Sequence, residues 1–133
     1  MNLSNSRKAK GTLYERQLKK MLEGKGFFVT RASGSGSDGV SPDLIALSMT
    51  KKFALECKAW KNNLFLEKDK IALYTQWEQR TGMPVYIAWK FPHKEWRFFP
   101  LGVLKETKAG FGLAEEELTV GMTLNDLIRQ ARS

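Results

Sequence analysis

Three residues of this chain have the types and the spacing needed for metal-assisted chemistry: Asp43, Glu56 and Lys58. Glu56 and Lys58 lie in segment 52–59, whose apolar run predicts a β-strand. Because successive side chains of a strand point to opposite faces, Glu56 and Lys58 are expected on the same face. A carboxylate and an ammonium group would therefore point in one direction.

Asp43 is brought to that face by a predicted hairpin. Residues 42–47 also have the pattern of a strand, and residues 48–51 have a length suited to the turn between the two strands. If the strands pair in register around that turn, Asp43 lies directly across from Glu56. Opposed side chains have Cβ atoms roughly 4.5–5.5 Å apart, and like charges placed so destabilise a sheet unless something compensates them. A bound divalent cation would compensate.

Two opposed carboxylates suit a hard cation such as Mg²⁺, which prefers oxygen ligands and keeps several waters that a substrate phosphate can replace. Mg²⁺ is therefore the expected cofactor, and Mn²⁺ is expected to substitute for it. The chemistry would be hydrolysis of a phosphodiester by an activated water, with Lys58 positioning that water or stabilising the transition state. The alternative is that E-x-K forms only a solvated charge pair on an exposed strand face.

Two further carboxylates are candidates for the same site. Glu15 follows Thr12 in a T-x-x-E pattern that indicates a capping box, yet it also falls at the edge of the apolar stripe of its helix. It is thus either a cap or a residue that reaches toward the sheet. Asp38 lies in a loop, outside the register that pairs Asp43 with Glu56, and is the weaker candidate.

The alternation of apolar and turn residues predicts the elements that position these side chains. In order, they are a helix over 12–24, a strand over 26–31, a glycine- and serine-rich loop over 33–41, strands over 42–47 and 52–59, a helix over 68–80, strands over 85–91 and 95–101, and a helix over 123–132. The second helix would carry the chain by a right-handed crossover to a parallel strand. We therefore expect an α/β fold with one mixed sheet and flanking helices.

The domain organisation expected from length is one domain over 11–133, preceded by a flexible basic arm at 1–10. Residues 102–133 form a C-terminal extension that matches no motif. No apolar run is long enough for a signal peptide or a membrane span, so a cytoplasmic protein is expected. With one cysteine, Cys57, and one histidine, His93, neither an internal disulfide nor a Cys/His zinc site is expected.

The charge of the chain points to a polyanionic partner. Lys and Arg number 22 against 14 Asp and Glu, which gives a net charge of +8. A phosphate-binding surface is predicted next to the site, formed by Arg7, Lys8, Lys10, Arg16 and Lys19. Lys20 either belongs to the same surface or lies on a solvated helix face, and for residues 1–10 an ordinary disordered terminus is the alternative.

The sequence resembles the archaeal-type Holliday-junction resolvases, the Hjc/Hje family of the PD-(D/E)xK nuclease superfamily. The resemblance covers about two thirds of the chain, in order. It lies in residues 10–16 (KGTLYER), 29–35 (VTRASGS), 42–43 (PD), 55–58 (LECK), 90–92 (KFP) and 96–100 (WRFFP). What it implies is a restriction-endonuclease-like core in α-β-β-β-α-β order.

The resemblance also implies a homodimer that nicks strands symmetrically near a four-way DNA junction, using Mg²⁺, with no membrane or small-molecule partner. The residues that match functional positions of the family are Glu15, the metal ligands Asp43 and Glu56, the catalytic Lys58, the DNA-contacting Arg16 and Arg31, and Ser33, which corresponds to a loop serine that some members require. For Glu15, the resemblance favours metal contact over capping.

Two other functions remain open at the level of sequence. One is a less structure-selective nickase or repair endonuclease of the same superfamily. The other is a basic DNA-binding protein in which the D…E-x-K pattern is only structural.

Overall fold

The computed structural model describes residues 3–32 and 41–131, with side chains from residue 11 onward. The main elements are α1 (Leu3–Glu23), β1 (Phe28–Arg31), β2 (Leu44–Leu47), β3 (Lys52–Lys58), β4 (Leu64–Glu67), α2 (Lys68–Thr81), β5 (Val85–Trp89), β6 (Arg97–Pro100), β7 (Lys105–Glu106), β8 (Gly110–Leu113) and α3 (Leu124–Gln130). Short 3₁₀ helices cover Leu101–Val103 and Glu115–Val120. Within these ranges no helix combines the length and the apolar character that crossing a membrane requires.

The central sheet has the strand order β1-β2-β3-β5-β6. Neighbouring strands are antiparallel except β3 and β5, which run parallel because α2 returns the chain to the same end of the sheet. The β2–β3 hairpin has the predicted register, with Leu47 facing Lys52 and Leu44 facing Leu55. The predicted mixed sheet is confirmed.

Each face of the sheet carries its own core because side chains alternate along β3. Phe53 and Leu55 are fully buried in a cluster that includes Leu18 and Leu22 of α1. Ala54 belongs to a second cluster on the opposite face, with residues of α2. The aromatic residues of β5 and β6 divide between the two clusters, so they are core residues. They are Trp89 and Phe99 in the second cluster and Tyr86 and Phe98, with the adjoining Trp96, in the first.

Helix α1 begins at Leu3, whereas the sequence predicted its start at residue 12 and an irregular arm over 1–10. The prediction relied on Thr12 as an N-cap. Extending an existing helix fixes one residue per hydrogen bond, which is far easier than nucleating one, and segment 3–10 contains arginine, lysine and alanine, which favour helices. Thr12 and Glu15 therefore lie inside the helix and the predicted capping box is wrong.

A second, three-stranded sheet of order β4-β8-β7 was not predicted. Its strands are short, and β8 begins at Gly110 and contains Gly112, residues that usually mark turns. Here glycine is required, because a Cβ at Gly112 would lie 2.3 Å from the Leu64 carbonyl oxygen of β4. Close approach of two backbones explains a glycine that sequence patterns assign to a loop.

Candidate active site

Asp43, just before β2, lies against β3 through its side chain. The backbone N–H of Cys57 donates a hydrogen bond of 2.8 Å to its Oδ2 atom, and its own carbonyl accepts one of 2.9 Å from Ala32. Because the hairpin register continues from Leu44, Asp43 reaches the strand position beside Glu56. The predicted hairpin register is confirmed, and the effect of Asp43 on the pKa of Glu56 agrees with the predicted proximity of the two carboxylates.

Glu56 is the one charged side chain that is buried among the residues with described side chains, with 5% of its surface exposed. Burial and the neighbouring Asp43 raise the pKa of Glu56 to about 7, against an opposing effect of Lys58. A negative charge at this position is therefore unfavourable without a cation. This is the electrostatic character of a site that binds a positive ion.

Lys58 supplies part of that positive charge. Its Nζ atom lies 3.7 Å from Oε2 of Glu56 and 4.9 Å from the ring centroid of Trp60. Glu56 and Lys58 share a face of the sheet because they are two residues apart on β3, and Trp60 follows just after the strand ends. The ammonium group therefore lies close to both the Glu56 carboxylate and the Trp60 ring.

Tyr74 of α2 places a hydroxyl beside Glu56. Burial and Glu56 raise the pKa of Tyr74 above its usual range, so the hydroxyl stays protonated. The residue is fully buried, and its hydroxyl lies next to the Glu56 carboxylate. Two adjacent carboxylates beside a buried hydroxyl are polar groups that a hydrated cation would satisfy, so these residues fit Mg²⁺.

Glu15 lies on the buried side of α1, one turn from Leu18. Its Oε1 accepts a hydrogen bond of 2.7 Å from Nε of Arg31 in β1. Burial and Asp43 raise the pKa of Glu15, while Arg31 and Arg16 lower it, which places Glu15 close to the carboxylate pair. Across the described residues, no three acidic, cysteine or histidine side chains form a metal-binding group. Metal contact by Glu15 stays a prediction.

The predicted basic surface is described only in part. Arg16 and Lys20 are exposed on α1, and Lys19 forms a 2.8 Å ion pair with Glu23. Met21 on the same helix is 45% exposed, although its helical spacing with Leu18 and Leu22 predicts a place in the apolar stripe. The predicted residues Ser33 and Asp38, and the side chains of Arg7, Lys8 and Lys10, lie outside what the structure describes.

Sequence reasoning did not place Trp60 or Tyr74 in the site. Tyr74 has helical spacing with other apolar residues, and that pattern predicts only core packing. Trp60 carried a usable signal, because it follows Lys58 by two residues on an extended segment.

A family model described as "Archaeal holliday junction resolvase (hjc)" matches residues 6–133. The chain belongs to this family. A curated relative, the Crossover junction endodeoxyribonuclease Hjc of Archaeoglobus fulgidus, is 34% identical over 122 residues, which cover 90% of each chain. The Hjc protein of Sulfurisphaera tokodaii is 35% identical over 97% of this chain and 92% of its own length.

The fold agrees with a solved structure of the same family. The 1.6 Å structure of Archaeoglobus fulgidus Hjc, a Holliday junction resolvase from an archaeal hyperthermophile, superposes with a TM-score of 0.80 at 30% sequence identity. The match covers 89% of this chain and 94% of the other. The restriction-endonuclease-like fold predicted through the resemblance is thereby confirmed. The family match also includes the C-terminal segment, in which no motif was recognised.

Proposed function

We propose that this protein is an endodeoxyribonuclease that resolves four-way (Holliday) DNA junctions. The observation that carries the proposal is the buried Glu56 beside the half-buried Asp43, with Lys58 Nζ 3.7 Å from the Glu56 carboxylate, in a chain that belongs to the Hjc family. The relatives named above are crossover junction endodeoxyribonucleases, and the sequence match covers 90% and 92% of their lengths. DNA of this kind lies inside the cell, where we expect the enzyme to act.

Asp43 and Glu56 would hold Mg²⁺, or Mn²⁺ in its place, with Glu15 as a further candidate ligand. A bound divalent ion lowers the pKa of its water and neutralises charge on the phosphate oxygens. Other groups of the chain position the carboxylate ligands and add positive charge. The Cys57 N–H fixes the orientation of Asp43, and Lys58 presents its ammonium group where negative charge develops on the phosphate.

Two symmetric cuts in a four-way junction require two active sites. A homodimer would provide them, and we propose this assembly for the active enzyme. Sedimentation equilibrium with and without junction DNA measures it directly. A protein that stays monomeric while it cuts both strands would contradict a dimeric enzyme.

The decisive experiment compares cleavage of a mobile four-way junction with cleavage of a linear duplex of the same sequence, in Mg²⁺ and in chelator. The wild-type protein should cut the junction in paired, symmetric positions only with Mg²⁺. Equal cleavage of both substrates would indicate a less selective nuclease instead.

Glu56→Gln tests the site itself. This variant should lose cleavage by on the order of a hundredfold or more while junction binding is kept or strengthened, because a negative charge facing the phosphates is removed. The matched control is Glu106→Gln, a substitution of an exposed glutamate on β7 that should cleave normally. Full cleavage by Glu56→Gln would refute the assignment of the site.

A further inference from the structure

Beyond Lys58 the chain leaves β3 and forms one side of a groove of about 590 Å³, which we call the Trp60 groove. Its lining includes Trp60, Lys61 and Asn62 on this side, Gly11 of α1, and Pro92. Lys58 itself lines the groove, so the groove is continuous with the proposed active site. Its volume lies within the range of sites that bind small organic groups.

The loop that carries Trp60 is fixed by the fold. The indole N–H of the fully buried Trp89 donates a hydrogen bond of 2.9 Å to the Trp60 carbonyl. Further along, the Asn63 side chain accepts a 3.1 Å hydrogen bond from the backbone N–H of Glu115. Even so, 38% of the Trp60 surface is exposed. A large aromatic ring held in place and left exposed is typical of a contact surface.

The glycine at position 11 is a second, independent feature of the groove that suggests a ligand. It lies in the interior of α1, where glycine is less favourable than alanine. A Cβ at this position would meet no described atom within 4 Å, so contact with the described residues does not explain the glycine. Since Gly11 lines the Trp60 groove, the missing side chain leaves space on the groove side of the helix.

The chemistry of the lining suits a nucleic-acid strand. Lys58 and Lys61 are the charged groups in the described lining, and both are positive. Lysines that contact phosphates and an aromatic ring on which a base can stack are the two components of single-strand binding sites. Two lysines next to an exposed indole provide both within one groove.

We propose that the Trp60 groove binds one unpaired nucleotide of the DNA strand that passes through the active site, with its base stacked on Trp60 and its phosphate near Lys61. The inference rests on the proposed function, because the scissile phosphate sets where this strand lies. Bases in an intact duplex are already stacked on their neighbours, whereas a branch point can release one. The Trp60 groove therefore favours junctions over duplex DNA.

The test measures binding in chelator, which separates binding from cleavage, by fluorescence anisotropy with a labelled four-way junction and a duplex of the same sequence. Trp60→Ala should weaken junction binding by about tenfold or more while duplex binding changes by less than about twofold. Trp60→Phe keeps an aromatic ring and should retain most of the affinity. Lys61→Gln should weaken junction binding more than duplex binding and reduce the salt slope for the junction by about one.

Gly11→Ala provides a second variant, because an added Cβ there meets no described atom within 4 Å. It should raise the melting temperature, because alanine favours the helix, and at the same time weaken junction binding. Opposite effects on stability and binding are not expected from a purely structural glycine.

Three results would overturn the proposal. The first is unchanged junction binding in both Trp60→Ala and Gly11→Ala. The second is equal weakening of junction and duplex binding by Trp60→Ala. The third is a lower kcat of Trp60→Ala with unaltered affinity, which would limit Trp60 to positioning Lys58. If the wild-type protein binds the junction but does not cut it in Mg²⁺, the proposed function fails. The Trp60 groove is then still judged by the binding comparison.

Discussion

At the scale of single residues, the site depends on a carboxylate held where its charge is unfavourable. Glu56 is buried beside Asp43, and the nearby Lys58 offsets only part of the cost of the charge. The folded, metal-free protein therefore favours the protonated form of Glu56. The same property that attracts a cation makes the stability of the protein sensitive to pH when a chelator removes the cation.

The pKa of Glu56 predicts the direction of that sensitivity. This pKa is raised from 4.5 to about 7 on folding. The contribution of protonated Glu56 to the stability of the folded state is therefore complete below pH 4.5 and is lost as the pH rises through 7. In chelator, the free energy of unfolding should fall by up to about 3 kcal/mol across this window. Urea denaturation from pH 4.5 to 8 measures it. Glu56→Gln should show a clearly weaker dependence, and identical curves for the two proteins would contradict this origin.

Two roles are proposed for Glu15, and one titration can distinguish them. As a metal ligand or a close neighbour of one, it should influence cation affinity, so Glu15→Gln should raise the Mg²⁺ concentration for half-maximal cleavage by about 10–100-fold. Cleavage rates measured across a Mg²⁺ series provide the value. An unchanged Mg²⁺ requirement with a lower maximal rate would mean that Glu15 acts only through its 2.7 Å contact with Arg31.

At the scale of elements, β3 connects the core to the site. Its one face packs Phe53 and Leu55 against α1, and its other face carries Glu56 and Lys58 beside α2. A shift of one residue in the β2–β3 register would exchange these faces and separate Asp43 from Glu56. The hairpin is thus the element on which catalysis depends most directly.

The second sheet depends on close backbone contact. Gly112→Ala would place a Cβ 2.3 Å from the Leu64 carbonyl oxygen and should destabilise the protein by on the order of 1–3 kcal/mol. Gly102→Ala is the matched control, because a Cβ there meets no described atom within 4 Å. Denaturation midpoints of the two variants test the difference. Equal midpoints would contradict the close packing of β4 on β8.

At the scale of the whole molecule, the protein has a net charge of +8, although its proposed active site contains the buried carboxylate of Glu56. The basic residues concentrate toward the N-terminal part of the chain, where α1 also contributes Glu15 and Gly11. Long-range attraction would bring DNA to this side of the protein, and the local geometry then selects the phosphate to be cut.

This distribution of charge predicts a steep salt dependence. If binding neutralises 6–10 phosphates, junction affinity should fall by about 10³–10⁵ between 50 and 200 mM salt. Anisotropy titrations at several salt concentrations measure the slope. Arg16→Gln, which removes an exposed charge next to Glu15, should reduce the slope by about one. An affinity that hardly responds to salt would contradict a phosphate-binding surface.

The sequence by itself determined the part of the site that follows from local periodicity. Alternation along a strand and the length of one turn are enough to bring Asp43, Glu56 and Lys58 together, because a hairpin is built from residues that are close in the chain. The order of the main strands and helices was predictable for the same reason.

Tertiary structure decided the contacts between distant elements. The pairing of Glu15 with Arg31 depends on how α1 crosses β1, and the position of Tyr74 beside Glu56 depends on how α2 packs on the sheet. The extension of α1 past Thr12 removed a cap that a local pattern had indicated. Such contacts are set by three-dimensional packing, which no periodicity within one segment encodes.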